Sequence, residues 1–197
     1  MRAMVRIGWL LLALTSGAQA DQAQELLARV RAQVVTVAVL NSRGLIDSEG
    51  SGVIVGAGRV VTNCHVVAEA QSLRLTTSDG RQLAATTLRE DPERDLCLLD
   101  AGELKAPPLS IRALAEVSQG EAVYAVGNPL ALGLAVSAGV VSAIDLRGAE
   151  PRIITSAAVS PGSSGGGLFD RAGRLLGITS SVLEPGQNVS VAIPAEA

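Results

Sequence analysis

A single histidine, His65, limits the acid–base chemistry open to this chain. An imidazole titrates near neutrality, which suits reversible uptake of a proton from a hydroxyl nucleophile. His65 follows Arg59-Val60-Val61-Thr62-Asn63-Cys64, where an apolar run turns polar at an expected strand end. Lone histidines are more often structural, but a strand end is also where a barrel presents a base to a cleft. Ser163 and Ser164 lie in Ser160-Pro161-Gly162-Ser163-Ser164-Gly165-Gly166-Gly167. A serine between glycines fits a nucleophile on a tight turn, and glycines at positive φ can aim N–H groups at a developing oxyanion. On composition alone the same run reads as a flexible loop. A carboxylate that fixes the imidazole tautomer completes the set. Asp95 opens the apolar run Leu96-Cys97-Leu98-Leu99, where a carboxylate is partly buried; Asp91 and Asp100 compete for the role on chemistry alone.

Residues 162–166 also satisfy the G-x-S-x-G pattern of α/β-hydrolases, which order their triad serine, acid, histidine. His65 precedes every candidate serine of this run, so that fold is excluded and the order histidine, aspartate, serine remains.

These side chains need a rigid scaffold. The 197 residues are 48% hydrophobic and 18% charged, a globular rather than a disordered composition. Trp9, Tyr124 and Phe169 are the only aromatics, so the core must be built from Val, Leu, Ile and Ala. One His and two Cys exclude a zinc finger or a His-rich metal centre on ligand count, and no cofactor is implied. A net charge of −3 lacks the basic balance expected of a nucleic-acid binder.

Residues 1–20 read as a secretory signal: Arg2 and Arg6, then an apolar Ile7–Leu14, then Ala18-Gln19-Ala20 as the cleavage site. The apolar run is too short to span a bilayer, which needs about 20 residues. The expected mature chain begins at Asp21, is periplasmic or secreted, keeps no stable membrane span, and enters an oxidising compartment. Residues 21–33 carry Leu26, Leu27 and Val30 at helical spacing, with acids early and arginines late, and predict a short helix. Short β-branched runs follow. Val34–Leu40, Gly52–Val55, Arg59–Asn63, Leu73–Thr76, Gln82–Glu90 and Leu96–Asp100 are strand candidates in one half. Ala122–Val126, Ala135–Ile144, Ile153–Ser156, Gly167–Phe169, Leu175–Ser181 and Val189–Ile193 are candidates in the other. Lys105-Ala106-Pro107-Pro108 reads as the linker, so the halves divide into 34–110 and 111–197. Two sets of about six strands predict an all-β protein of two small barrels or a sandwich.

Five segments in order carry a resemblance: Ser51-Gly52-Val53-Ile54-Val55, Val61-Thr62-Asn63-Cys64-His65-Val66-Val67, Asp95-Leu96-Cys97-Leu98-Leu99, Gly127-Asn128-Pro129 and Pro161-Gly162-Ser163-Ser164-Gly165-Gly166. Together they resemble trypsin-like serine endopeptidases of the bacterial HtrA/Deg type, from about Val34 to Pro194. The resemblance implies two six-stranded antiparallel β-barrels, perpendicular to each other, with the active site in the cleft between them. It implies His65 as general base, Asp95 as orienting acid and Ser164 as nucleophile. The backbone N–H groups of Gly162 and Ser164 would form the oxyanion hole. It also implies an acyl-enzyme route and protein or peptide substrates, with a homo-oligomer or regulatory partner in view.

Several positions depart from the family. Ser163 replaces the usual Asn, and the Asp of digestive trypsins, so no trypsin-like zymogen switch is expected. Gly167 replaces a Pro, which predicts a looser turn, and Ser156 replaces a frequent Asp. PDZ domains and a final helix are not expected in this chain. Ala158 falls where trypsins place a pocket-floor Asp, and Ser180 and Ser181 would line the pocket wall. An apolar floor cannot compensate a buried Lys or Arg, so small or medium aliphatic P1 residues are expected. Cys64 adjoins the proposed base, and Cys97, two residues past the proposed acid, should by strand period two face the same way as Asp95, so a disulfide between them would staple base to acid; two buried thiols are the alternative. The competing function is a latent or inactive barrel that captures extended peptides by strand addition.

Overall fold

A computed structural model describes residues 21–105, 107–129, 132–148, 150–180 and 189–196. The signal segment and Ser181 lie outside the described residues. Residues 21–30 form helix α1, followed by a 3-10 turn at Arg31–Gln33. Twelve strands follow in two closed antiparallel barrels.

The first barrel contains β1 (Val34–Leu40), β2 (Ile46–Gly56), β3 (Arg59–Thr62), β4 (Ser72–Thr76), β5 (Gln82–Asp91) and β6 (Leu96–Asp100). It closes in the order β1-β2-β3-β6-β5-β4. One helical turn, α2 (Cys64–Val67), interrupts the strands. The second barrel contains β7 (Ala122–Gly127), β8 (Ala135–Asp145), β9 (Arg152–Thr155), β10 (Gly167–Asp170), β11 (Leu175–Ser180) and β12 (Ser190–Pro194). It closes in the order β10-β11-β12-β9-β8-β7. Closure removes exposed strand edges, which suits strands this short.

Each expected strand is present, β1 and β6 with the expected ends. β2 is longer than its apolar part: Ile46–Glu49 are polar or exposed, yet Glu49 pairs with Ala38 and Ser48 with Val39. Pairing to β1 supplies the order that side-chain pattern does not. Each barrel has its own aliphatic core: Val37, Ile54, Leu75 and Leu99 in the first, Val141, Ile153, Leu168 and Leu176 in the second. A third cluster is the seam between them. Phe169 is fully buried there, with Val53 from the first barrel, Val126, Leu175 and Ile178 from the second, and Leu26 and Val30 from α1. The chain's only Phe thus fills the space where two round aliphatic barrels touch. Gly167 does not lie in a loose turn. It opens β10, and a Cβ there would stand 2.3 Å from a carbon of the Phe169 ring, so the absent side chain admits the aromatic. Ser156 also acquires a role: its Oγ accepts from the Val140 N–H at 3.0 Å and continues the sheet pairing.

Candidate active site

His65 is the second residue of α2, not the last of β3, which ends at Thr62. The turn projects the ring outward, and His65 is exposed. Asp95 likewise sits outside its strand, in the turn before β6, with φ 59°. Aspartate tolerates this left-handed region better than most residues. The conformation turns both ends of the residue toward α2. The Asp95 carbonyl accepts from Asn63 Nδ2 at 2.9 Å and from the Cys64 N–H at 3.3 Å. Its carboxylate grips His65 twice: Oδ1 accepts from the backbone N–H at 2.9 Å and Oδ2 from Nδ1 at 2.7 Å. A carboxylate only accepts, so Nδ1 carries a hydrogen, and in the neutral ring Nε2 therefore keeps its lone pair. The competing acids have other partners. Asp91 accepts from Arg94, whose backbone N–H above all, and then its guanidinium, hold the carboxyl below its ordinary range. Asp100 pairs with Arg59 at 2.9 Å.

Cys64 and Cys97 form a disulfide with Cα atoms 4.9 Å apart. The sheet register explains this: Thr62 of β3 lies opposite Cys97 of β6, so the turn after Thr62 brings Cys64 over it. Because Asp95 precedes the strand, strand periodicity does not extend from Cys97 to it; the hydrogen bonds that Asp95 accepts from Asn63, Cys64 and His65 join acid and base instead. The bond closes a sequence separation of 33 and should contribute roughly 3–4 kcal/mol by restricting the unfolded chain. A Cys64→Ala/Cys97→Ala chain is expected to melt about 10 °C lower in thermal denaturation. An unchanged midpoint would contradict that contribution.

Ser164 lies on the second barrel, between Gly162 at φ 90° and Gly165 at φ 83°. Only glycine fits at 165: a Cβ would approach the Ser51 carbonyl to 2.1 Å and Thr62 Oγ1 to 2.3 Å. Here the serine turn crosses onto the first barrel. Ser51 ties it down. Its N–H donates to the Ser164 carbonyl and its Oγ to the Gly162 carbonyl, each at 2.8 Å. The same Oγ accepts from the Asn128 N–H at 2.8 Å. Thr179 holds the other side, its Oγ1 donating to the Ser163 carbonyl at 2.8 Å. With its carbonyl fixed by Ser51, Gly162 keeps its N–H out of protein hydrogen bonds among the described residues. Sequence reading assigned no role to Ser51 or Thr179. Ser51 stands in one of the five family segments, which was the signal available.

Of the three expected pocket residues, Ala158 lines a cavity of ≈ 220 Å³ with Val126, Gly127, Ser137, Ser163 and Thr179. Ser180 does not line it; its buried Oγ has no partner among the described residues. None of the residues lining this cavity is charged.

The trypsin-like peptidase domain family matches residues 50–178, and the chain belongs to that family. The chain is 36% identical over 157 residues to the periplasmic pH-dependent serine endoprotease DegQ of Escherichia coli K12, covering 74% of this chain and 34% of the relative. It is 38% identical over 157 residues to the periplasmic serine endoprotease DegP of the same strain, covering 74% and 33%. The chain thus spans about a third of the length of these curated relatives. Among solved structures it is similar to a serine endoprotease from Yersinia pestis, at TM-score 0.80 and 30% identity, covering 88% of this chain and 62% of that one. It is also similar to the HtrA-type protease AlgW with tripeptide, at TM-score 0.79 and 32% identity, covering 88% and 60%.

Proposed function

We propose that this chain is a periplasmic serine endopeptidase of HtrA type that hydrolyses peptide bonds through an acyl-enzyme on Ser164. The observation that carries the reading is the double grip of the Asp95 carboxylate on His65, which fixes the ring in the tautomer a general base needs. His65 Nε2 takes the Ser164 hydroxyl proton as Oγ attacks the scissile carbonyl. It then returns that proton to the leaving amine. A water, deprotonated by His65, hydrolyses the ester and releases Ser164. The Gly162 and Ser164 N–H groups stabilise the oxyanion; φ 90° at Gly162 and its bound carbonyl support the first of these.

The cavity beside Ser163 receives the P1 side chain. Its uncharged lining supports small and medium aliphatic residues, and unfolded protein is the substrate class that offers these in extended form. Peptides with Val, Ala or Leu at P1 are expected to be cleaved at least about 100-fold more efficiently than Lys or Arg peptides, since an unpaired buried cation costs several kcal/mol. A P1-varied peptide series measured as kcat/KM checks this, and equal turnover of Lys and Val peptides would contradict it. The peptidase reading itself is tested by hydrolysis of an unfolded protein with wild type and Ser164→Ala side by side.

A further inference from the structure

The nucleophile and its acid–base pair stand on different barrels, so their register depends on how the barrels are held. The seam cluster is apolar and non-directional. Ser51 anchors the barrels beside Ser164, through hydrogen bonds to the Ser164 and Gly162 carbonyls and from the Asn128 N–H. A second directional link lies at the other side of the site. Arg94, immediately before Asp95, donates from Nε to Glu150 Oε2 at 2.8 Å. Glu150 belongs to the β8–β9 connection of the second barrel. The same guanidinium donates to Asp91 Oδ2 at 2.9 Å, and the Arg94 N–H to Asp91 Oδ1 at 3.1 Å, so the whole turn carrying Asp95 is braced. Among the described residues this is the one ion pair that joins the two barrels.

We infer that Arg94 and Glu150 are positioning residues: their cross-barrel ion pair sets the Asp95 turn, and with it His65, in register with Ser164. The inference rests on the serine-peptidase reading of the site. Both side chains are partly exposed, 39% and 22%, so the pair adds little to stability. Its effect is geometric, and small misplacements of catalytic groups cost rate. The Arg94 guanidinium, held charged chiefly by Glu150 and then by Asp91, stays a cation throughout the working pH range.

The test measures kcat and KM on an aliphatic-P1 peptide for wild type, Glu150→Gln, Arg94→Gln, the double variant and Glu150→Asp. Thermal midpoints and the downfield Nδ1–H resonance of the chain's single histidine are recorded alongside. Glu150→Gln should lower kcat about 10-fold, with KM within twofold, an unchanged midpoint and a weakened Nδ1–H signal. The double variant should be no worse than either single one, and Glu150→Asp should recover most of the rate. If Arg94→Gln fails to fold, Glu150→Gln and Glu150→Asp decide alone. Wild-type kcat and Nδ1–H signal in folded Glu150→Gln would overturn the inference, as would additive losses in the double variant. A wild-type chain that cleaves nothing would overturn the serine-peptidase reading itself, and this inference with it.

Discussion

Replacing Ser164 by Ala is expected to lower kcat for peptide hydrolysis by about 10⁶ while leaving the thermal midpoint nearly unchanged. The hydroxyl is the atom that forms the acyl bond, and no other group can supply it from the same place. Ser163 is the nearest candidate, but its backbone is committed on both sides. Its N–H donates to the Ser160 carbonyl and its carbonyl accepts from Thr179 Oγ1 and the Gly166 N–H. The fold does not depend on the Ser164 side chain, because the turn is held through backbone atoms, notably the Ser164 carbonyl on the Ser51 N–H. Substrate binding in the cavity beside Ser163 should persist, so the loss falls on kcat and not on KM. A residual rate in Ser164→Ala above about one hundredth of wild type would place the nucleophile elsewhere.

The second large effect is expected at Asp95. Asp95→Asn keeps the size of the side chain and tolerates φ 59°, so the turn should survive. The carboxylate accepts two donors at once, the His65 N–H and Nδ1–H. An amide has one oxygen and one NH₂. With the oxygen toward the backbone N–H, the NH₂ faces the ring and drives the hydrogen from Nδ1 to Nε2, so the imidazole cannot accept a proton from Ser164. With the oxygen toward the ring, the NH₂ opposes the His65 N–H, donor against donor, and the grip on α2 is lost. Neither orientation reproduces the native pair, and kcat should fall by about 10⁴. Activity within tenfold of wild type, from steady-state kinetics on a folded variant, would show that Asp95 does not orient the base.

The elements were legible because closed barrels of short strands leave a strong local imprint. Val34–Leu40 is β-branched nearly throughout and emerges buried on both faces; Leu96–Asp100 keeps a strict alternation. Of the site, the serine run, His65 and the competing aspartates were legible from residue chemistry, the family segments singled out Ser164 and Asp95, and the disulfide was expected from the place of the two cysteines beside the proposed base and acid. What the sequence did not show depends on contacts between distant segments. Ser51 and Gly162 are 111 residues apart, Arg94 and Glu150 are 56 apart, and neither pair leaves a local pattern. The left-handed Asp95 was hidden for a related reason. Its conformation is stabilised by Asn63 and Cys64, so a reading of residues 91–99 alone put it at the entrance to β6 without showing its left-handed turn. Ser180 was expected at the pocket wall from the resemblance, whereas from β11 it is Thr179 that lines the cavity beside Ser163.

The most direct test of a Ser164-centred peptidase is covalent. The purified chain and Ser164→Ala are treated with a fluorophosphonate probe, and intact mass and peptide mapping read the product. One adduct per wild-type chain, located on Ser164 and absent from Ser164→Ala, is the predicted result, since phosphonylation requires an activated hydroxyl and an oxyanion site together. A well-folded wild type that stays unlabelled in the presence of unfolded protein, or an adduct that persists in Ser164→Ala, would contradict it.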